Sequence, residues 1–420
     1  MDHLLFNSLT DPIPGIRGEL DIIPIHHEGR ELLYFHDMLG YATDNFVLDR
    51  SIGPLMVHFT GRRTVNEILD TIHSQDGSDI AESDLLHFVR FLDQNRILRS
   101  TYFKKISERL EREFESQDVR PAVTAGNSYP SDPAEIRRSF DKAFLEHDGV
   151  SSNIAGGNIK ALYAPHIDPR VGMSSYVKAF APLKTLQPKR VVLLATSHYA
   201  GLYHRHYLGK PFILSEKNFE TPLGLVENDR QSVRKLAALK NAGITASDRA
   251  HRIEHSIELH LIFLKYLWAH DFSLVPILVG SLDDLLYMQD GDIGKKMSRL
   301  GDTLNEMFGT DPETLFLISG DLAHFGQKFG DKLPASTYFD EVHQFDRQLL
   351  DAAEKGVAGA VLDVMKTNND QYRICGFPPL ITFLSAVPGL EGIQTSYDLW
   401  DERERQSAVT FGSILYTCKQ

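Results

Sequence analysis

From Pro121 onward, short apolar runs alternate with stretches of helical spacing, and this alternation restricts the chain more than any other feature of its 420 residues. The runs 159–163, 191–195, 272–278 and 315–318 have the length and composition of strands. Around them, 133–147, 230–241, 256–268 and 340–354 place apolar residues at helical intervals. Strands that are apolar on both sides need cover on both sides. The pattern therefore predicts an α/β domain over 121–420, a sheet covered by helices on both faces.

A different pattern precedes it. Two extended runs, 31–36 and 45–48, are followed by three short helical stretches: one after Ser51, over 52–59; one at the capping box Thr64-x-x-Glu67; and one after Ser83, carrying Leu85, Leu86, Phe88, Val89 and Leu92. Strands followed by short helices predict a small winged-helix domain over residues 1–100. Phe103, Ile106, Leu110 and Phe114 then form one helical stripe among charged residues, which predicts an amphipathic connecting helix within 101–120 that ends before Pro121.

Composition removes several classes of function. A formal net charge of -13 with no basic patch argues against nucleic acid as a partner. Cys375 and Cys418 are the only cysteines, so there is no disulfide framework and no C-x-x-C pair, in keeping with a reducing cytoplasm. The first residues lack a basic, apolar leader and the most apolar windows are too short to span a bilayer, which predicts a cytoplasmic protein with no membrane partner. There is no G-x-S-x-G elbow, no G-x-G-x-x-G after a strand and no complete P-loop.

Three of the predicted strands end alike. His166 follows 159–163, His198 follows 191–195, and Asp321-Leu322-Ala323-His324 follows 315–318. Loops at the carboxyl ends of strands line the crevice of an open α/β sheet, so the three histidines are expected on one edge. Cys375 adds a thiol just before the apolar helix that starts near Leu380, where the helix dipole favours thiolate, the form that binds metal or attacks an electrophile. In Glu254-His255-Ser256-Ile257-Glu258-Leu259-His260 the histidines are five apart, so the zinc-peptidase spacing of four is not met. Glu254, His255 and Glu258 are read either as supports that orient a ligand or as the polar start of a helix.

Six segments in order, "TAGNSYPSDP" (124–133), "APHIDPRVG" (164–172), "LLATSHYAG" (193–201), "EHSIELHL" (254–261), "SGDLAHFG" (319–326) and "ICGFPPL" (374–380), resemble the Memo family over residues from Arg120 to near Cys418. That family is similar in fold to class III extradiol dioxygenases, so the resemblance implies a three-layer α/β sandwich with a central mixed sheet. It implies a mononuclear metal at His166, His198 and Cys375, with His324 as a neighbouring acid/base residue and Asp321 orienting it. Two histidines and a thiolate leave open positions; iron(II) or copper is expected first, and zinc also suits these ligands. The implied activity is that of a dioxygenase-like, oxygen-using oxidoreductase, and the rival is a non-catalytic module that binds a peptide or protein. AMMECR1-like and radical SAM proteins are the partners that the resemblance suggests. The chain departs from some relatives at Thr124 and Asn127. Separately, residues 46–98 resemble the PqqD-like winged-helix domains, which implies a peptide or protein client for the N-terminal domain.

Overall fold

The structure is a computed structural model that describes residues 2–76, 80–147 and 159–418. It divides into two units, Met1–Ser116 and Gln117–Gln420.

In the first unit, Leu20–His27, Arg30–Asp37 and Val47–Asp49 form an antiparallel three-stranded sheet in that order. The first two strands are joined by Glu28 and Gly29, both at positive φ (49° and 76°), the conformation that a two-residue hairpin of right-handed twist requires. The helices Val65–Asp76 and Glu82–Gln94 put Val65, Ile68, Leu85, Val89 and Leu92 into one core with Phe35 and Phe46. Thr64 and Glu67 form the reciprocal capping box, Glu67 N to Thr64 Oγ1 at 3.2 Å and Thr64 N to Glu67 Oε2 at 2.9 Å. Two expected starts move. Asp49 takes the cap expected of Ser51, accepting from both Ser51 N and Ser51 Oγ, so a short turn (Arg50–Ile52) and a four-residue helix (Gly53–Met56) replace the helix over 52–59. Ser83 lies inside its helix, which begins at Glu82 behind an Ala81 that makes no side-chain cap. The helix Thr101–Glu115 is capped by Ser100 and buries Phe103, Ile106 and Phe114.

The second unit is built on a twelve-stranded mixed sheet. Its centre is parallel: Ile159–Ala164, Thr314–Ser319, Arg190–Thr196 and Ser273–Val279 lie side by side in that order. On one side it continues antiparallel, with Ser407–Cys418 against Ile159–Ala164 and Leu390–Glu402 against Ser407–Cys418; on the other, Ser273–Val279 pairs in parallel with Gly224–Asn228 and antiparallel with Phe212–Leu214. Val192, Leu194, Phe316 and Ile318 share a core with Leu300, Leu304, Phe383 and Leu384, from helices Asp292–Leu304 and Phe377–Ala386. Their neighbours Val191, Leu193, Leu315 and Leu317 are equally buried and point to the other face, where Pro169–Phe180 and His255–Leu267 pack. The result is the three-layer α/β arrangement expected from the alternation. Among the described residues no helix is long and apolar enough to cross a membrane.

Candidate metal centre

The strand order decides where the predicted residues meet. Thr314–Ser319 lies between Ile159–Ala164 and Arg190–Thr196, and Ser319 is level with both Ala164 and Ala195. The loops that carry His166, Asp321 and His198 therefore leave one edge side by side. Cys375 reaches them because two glycines touch: a Cβ on Gly376 would lie 2.2 Å from the Tyr163 hydroxyl, and one on Gly320 would lie 2.1 Å from the Gly376 Cα.

His166 is the centre of the cluster, with its side chain 2% exposed. Its Nε2 is 3.3 Å from Cys375 Sγ and 3.8 Å from Asp321 Oδ2. Its tautomer follows from a neighbour. Ser319 Oγ donates its single proton to the Ser256 carbonyl at 2.7 Å, so its contact with His166 Nδ1 at 3.0 Å requires Nδ1–H to donate. The Nε2 lone pair is left facing the thiol and the carboxylate. Ser256 Oγ donates to the Thr196 carbonyl and Thr196 Oγ1 to the Cys375 carbonyl, both at 2.7 Å, so three hydroxyls tie the strand ends to the Cys375 segment.

His198 is fixed in the same way by another group. Its Nδ1 is 2.8 Å from Glu254 Oε1 and its backbone N–H donates to Glu254 Oε2 at 2.8 Å, which again frees Nε2. Glu254 is 1% exposed and also accepts from Ser256 N as the cap of His255–Leu267. Burial alone would raise its pKa; the His198 imidazole overcomes this and holds it at about 2. The same carboxylate outweighs burial at His198 and raises that imidazole above its ordinary value. His255 stacks on His198 at 4.6 Å with Nδ1 3.5 Å from the same Glu254 oxygen. Glu258 plays another part: it accepts from Val123 N, Thr124 N, Thr124 Oγ1 and Tyr129 OH and pairs with the buried Arg120, whose guanidinium also reaches the carbonyls of His251 and Glu254.

His324 lines the same cavity, of about 420 Å³, with His166, His198, His255, Thr124, Phe329 and Trp400. Its Nδ1 faces the carbonyls of Leu322 and Arg373, both at 3.2 Å, so Nδ1 carries the proton and Nε2 is a base. Burial, then the proximity of His198, pulls its pKa down to about 4. Asp321 is turned away from His324: its Oδ1 accepts from the backbone N–H of His166 and Ile167, and burial pushes its carboxyl up to about 7. Two carbonyls, and not Asp321, orient His324. Burial likewise lowers the pKa of His166 and raises that of the Cys375 thiol. Of the two departures from some relatives, Thr124 donates its hydroxyl to Glu258 at 2.7 Å and Asn127 lines an adjoining cavity.

Donor atoms within 4.8 Å of one another form two triplets, His166 with His198 and His255, and His166 with Asp321 and Cys375. Both fit a metal ion by chemistry, because the bare Nε2 of His166 converges with further imidazoles on one side and with a thiol and a carboxylate on the other. The three ligands expected from the sequence are divided: His198 and Cys375 both approach His166, but in separate triplets. Thr196, Ser256, Ser319 and Arg120 carry no signal of their own in the sequence, although the first three lie within the segments 193–201, 254–261 and 319–326.

The family model for Memo-like proteins matches residues 120–414. A MEMO1 family protein of Aquifex aeolicus is 26% identical over 398 residues, covering 91% of this chain and 98% of its own. The MEMO1 family protein TTHA0924 of Thermus thermophilus is 28% identical, covering 84% of this chain and 99% of its own, and the protein memo-1 homolog of Caenorhabditis elegans is 26% identical, covering 64% and 72%. With its strand-end histidines, its Cys375 loop and a match of this extent, the chain belongs to the Memo-like family.

Proposed function

We propose that this protein is a metal-dependent oxidoreductase whose ion is held at His166, with His198 and Cys375 as further ligands, and that iron(II) or copper is the resident metal. The observation that carries this reading is the bare Nε2 of His166, 3.3 Å from the Cys375 thiol and held in that tautomer by Ser319. A redox-active ion in this place supplies electron transfer to a bound substrate or to dioxygen. The chain's own residues supply the rest. Ser319 and Glu254 hold the two imidazoles in their ligating tautomers, and such outer partners typically account for about 10-fold to 100-fold in metal affinity. His324, neutral near pH 7 with Nε2 in the cavity, takes a proton from substrate; Asp321, titrating near 7, exchanges one beside His166.

The test combines elemental analysis of protein purified without added metal, anaerobic titration with Fe(II) and Cu(I), and oxygen uptake with ascorbate as electron donor. His166→Ala is expected to abolish binding. His324→Gln is expected to retain metal and to lose about 100-fold or more of oxygen uptake. Wild-type protein that binds neither ion would overturn the reading. Equal, background-level uptake by wild type and His324→Gln would leave a binding module in place of the enzyme.

A further inference from the structure

We propose that the substrate of this site is an amphiphile: its polar, reacting end enters the cavity of the histidines, and an apolar tail, an alkyl chain or a hydrocarbon ring, lies in a second cavity beside it. The proposal rests on the reading of the histidine cavity as the reacting one. It does not depend on which ion is held there.

The second cavity has a volume of about 390 Å³, in the range of small-molecule sites, and Tyr129, Pro130, Phe140, Pro169 and Met173 give it an apolar wall. That wall is preformed. Phe140, on the helix Pro133–His147, is fully buried and stacks on Phe263 at 4.5 Å between centroids, and Pro169 opens the helix Pro169–Phe180. Of the charged side chains that line this cavity, Arg170 is neutralised by Asp168 at 2.6 Å and Glu135 is exposed. The first cavity is the opposite in character, with the imidazoles of His166, His198, His255 and His324 and the carboxyl of Asp321.

Two stretches of chain border both cavities. Ser128 lines each of them, and Asp168 lines the first while Pro169 and Arg170 line the second. One buried carboxylate fixes the first stretch at both ends: Thr124, in the histidine cavity, and Tyr129, in the apolar one, each donate a hydroxyl to Glu258 Oε1 at 2.7 Å. Between them the turn closes on itself, Ser128 N donating to the Thr124 carbonyl at 2.9 Å and Gly126 N to the Tyr129 carbonyl at 2.7 Å. The polar and the apolar cavity are thus held at a set spacing before a ligand arrives. A ligand that spans them gains from burying its tail, about 2-fold to 4-fold in affinity for each methylene.

The test is calorimetric titration of the full-length protein, treated with EDTA or loaded with the redox-inert Zn(II), with hexanohydroxamate and octanohydroxamate, whose common head chelates metal ions and whose tails differ by two methylenes. Octanohydroxamate is expected to bind wild type about 4-fold to 16-fold tighter than hexanohydroxamate, with or without the ion. Ser128→Trp, which fills the junction, and Met173→Glu, which puts a carboxylate into the apolar wall, should each make the two chains bind alike. Equal affinity of the two chains in wild type overturns the proposal without needing any variant to fold, and so does failure of octanohydroxamate to bind either form. A chain-length gain that survives both substitutions also overturns it, because the tail then lies elsewhere. The metal reading is judged separately: Zn(II) that tightens both hydroxamates without a chain-length gain supports the ion and removes the tail cavity, whereas a chain-length gain that Zn(II) leaves unchanged supports the tail cavity and counts against the ion.

Discussion

Each unit buries one arginine against one carboxylate, and the two pairs do different things. Arg17 and Asp37 are 0% and 5% exposed, Arg120 and Glu258 0% and 1%. Asp37 accepts from Arg17 and from the N–H groups of Leu39, Tyr41 and Ala42, and Arg17 also donates to the Arg96 carbonyl at 2.9 Å, so the pair fixes the chain as it leaves a strand and ties it to the segment after the helix Glu82–Gln94. Glu258 gathers donors that precede it by 129 to 138 residues, and its arginine holds the carbonyl of Glu254, the residue that fixes His198. Equal burial thus serves the frame of a small fold in one unit and the foundation of the cavity in the other.

Removing one partner of a buried pair leaves a charge without compensation and costs about 3–5 kcal/mol. Glu258→Ala should show the largest effect, about 5 kcal/mol in denaturant unfolding, because four further donor groups lose their acceptor; metal affinity should fall as well. Unchanged affinity in a folded Glu258→Ala protein would mean that this pair, like the other, serves only the frame of its own unit. Asp37→Ala should cost about 3 kcal/mol with no change in metal affinity. Arg17 lowers the Asp37 pKa against the pull of burial, so the stabilisation is present above the ordinary value of 3.8 and is lost as pH falls through the depressed folded value. The difference between Asp37→Ala and wild type should accordingly shrink toward zero in acid unfolding curves. Glu254→Gln keeps an acceptor for His198 but removes its charge; calorimetry should show metal affinity weakened about 10-fold to 100-fold, or about 1.4–2.7 kcal/mol. The smallest effect belongs to the first unit: Thr64→Ala removes one helix cap and should cost about 1 kcal/mol by thermal unfolding, with metal binding untouched.

The sequence made the parallel core of the large sheet legible because four runs were apolar on both faces, and it made the converging histidines legible because three of those runs ended alike. It concealed the strand order. Nothing in 314–319 announces that this strand enters between 159–164 and 190–196, yet that insertion brings Asp321 beside His166. The hairpin of Leu390–Glu402 and Ser407–Cys418 was also hidden, since Ser407, Thr410 and Ser413 are fully buried and interrupt the apolar pattern. The hydroxyls of Thr196, Ser256 and Ser319 look like ordinary strand-end and helix-start residues until their partners are known. The role of Asp321 could not be read from spacing to His324, because its carboxylate accepts from the backbone of a loop 155 residues earlier.

The inserted strand also sets an order of events during synthesis. His166 and His198 leave the ribosome long before the strand that separates their own strands exists, and Cys375 emerges later still. Contacts of such sequence separation form late, because the entropy of closing long loops must be met first. A nascent chain therefore carries its histidines without a frame to hold them in one tautomer. On the proposed metal reading, the capacity to capture an ion at His166 would arise only when the last third of the chain has folded back, which would make ion capture a reporter of completed folding.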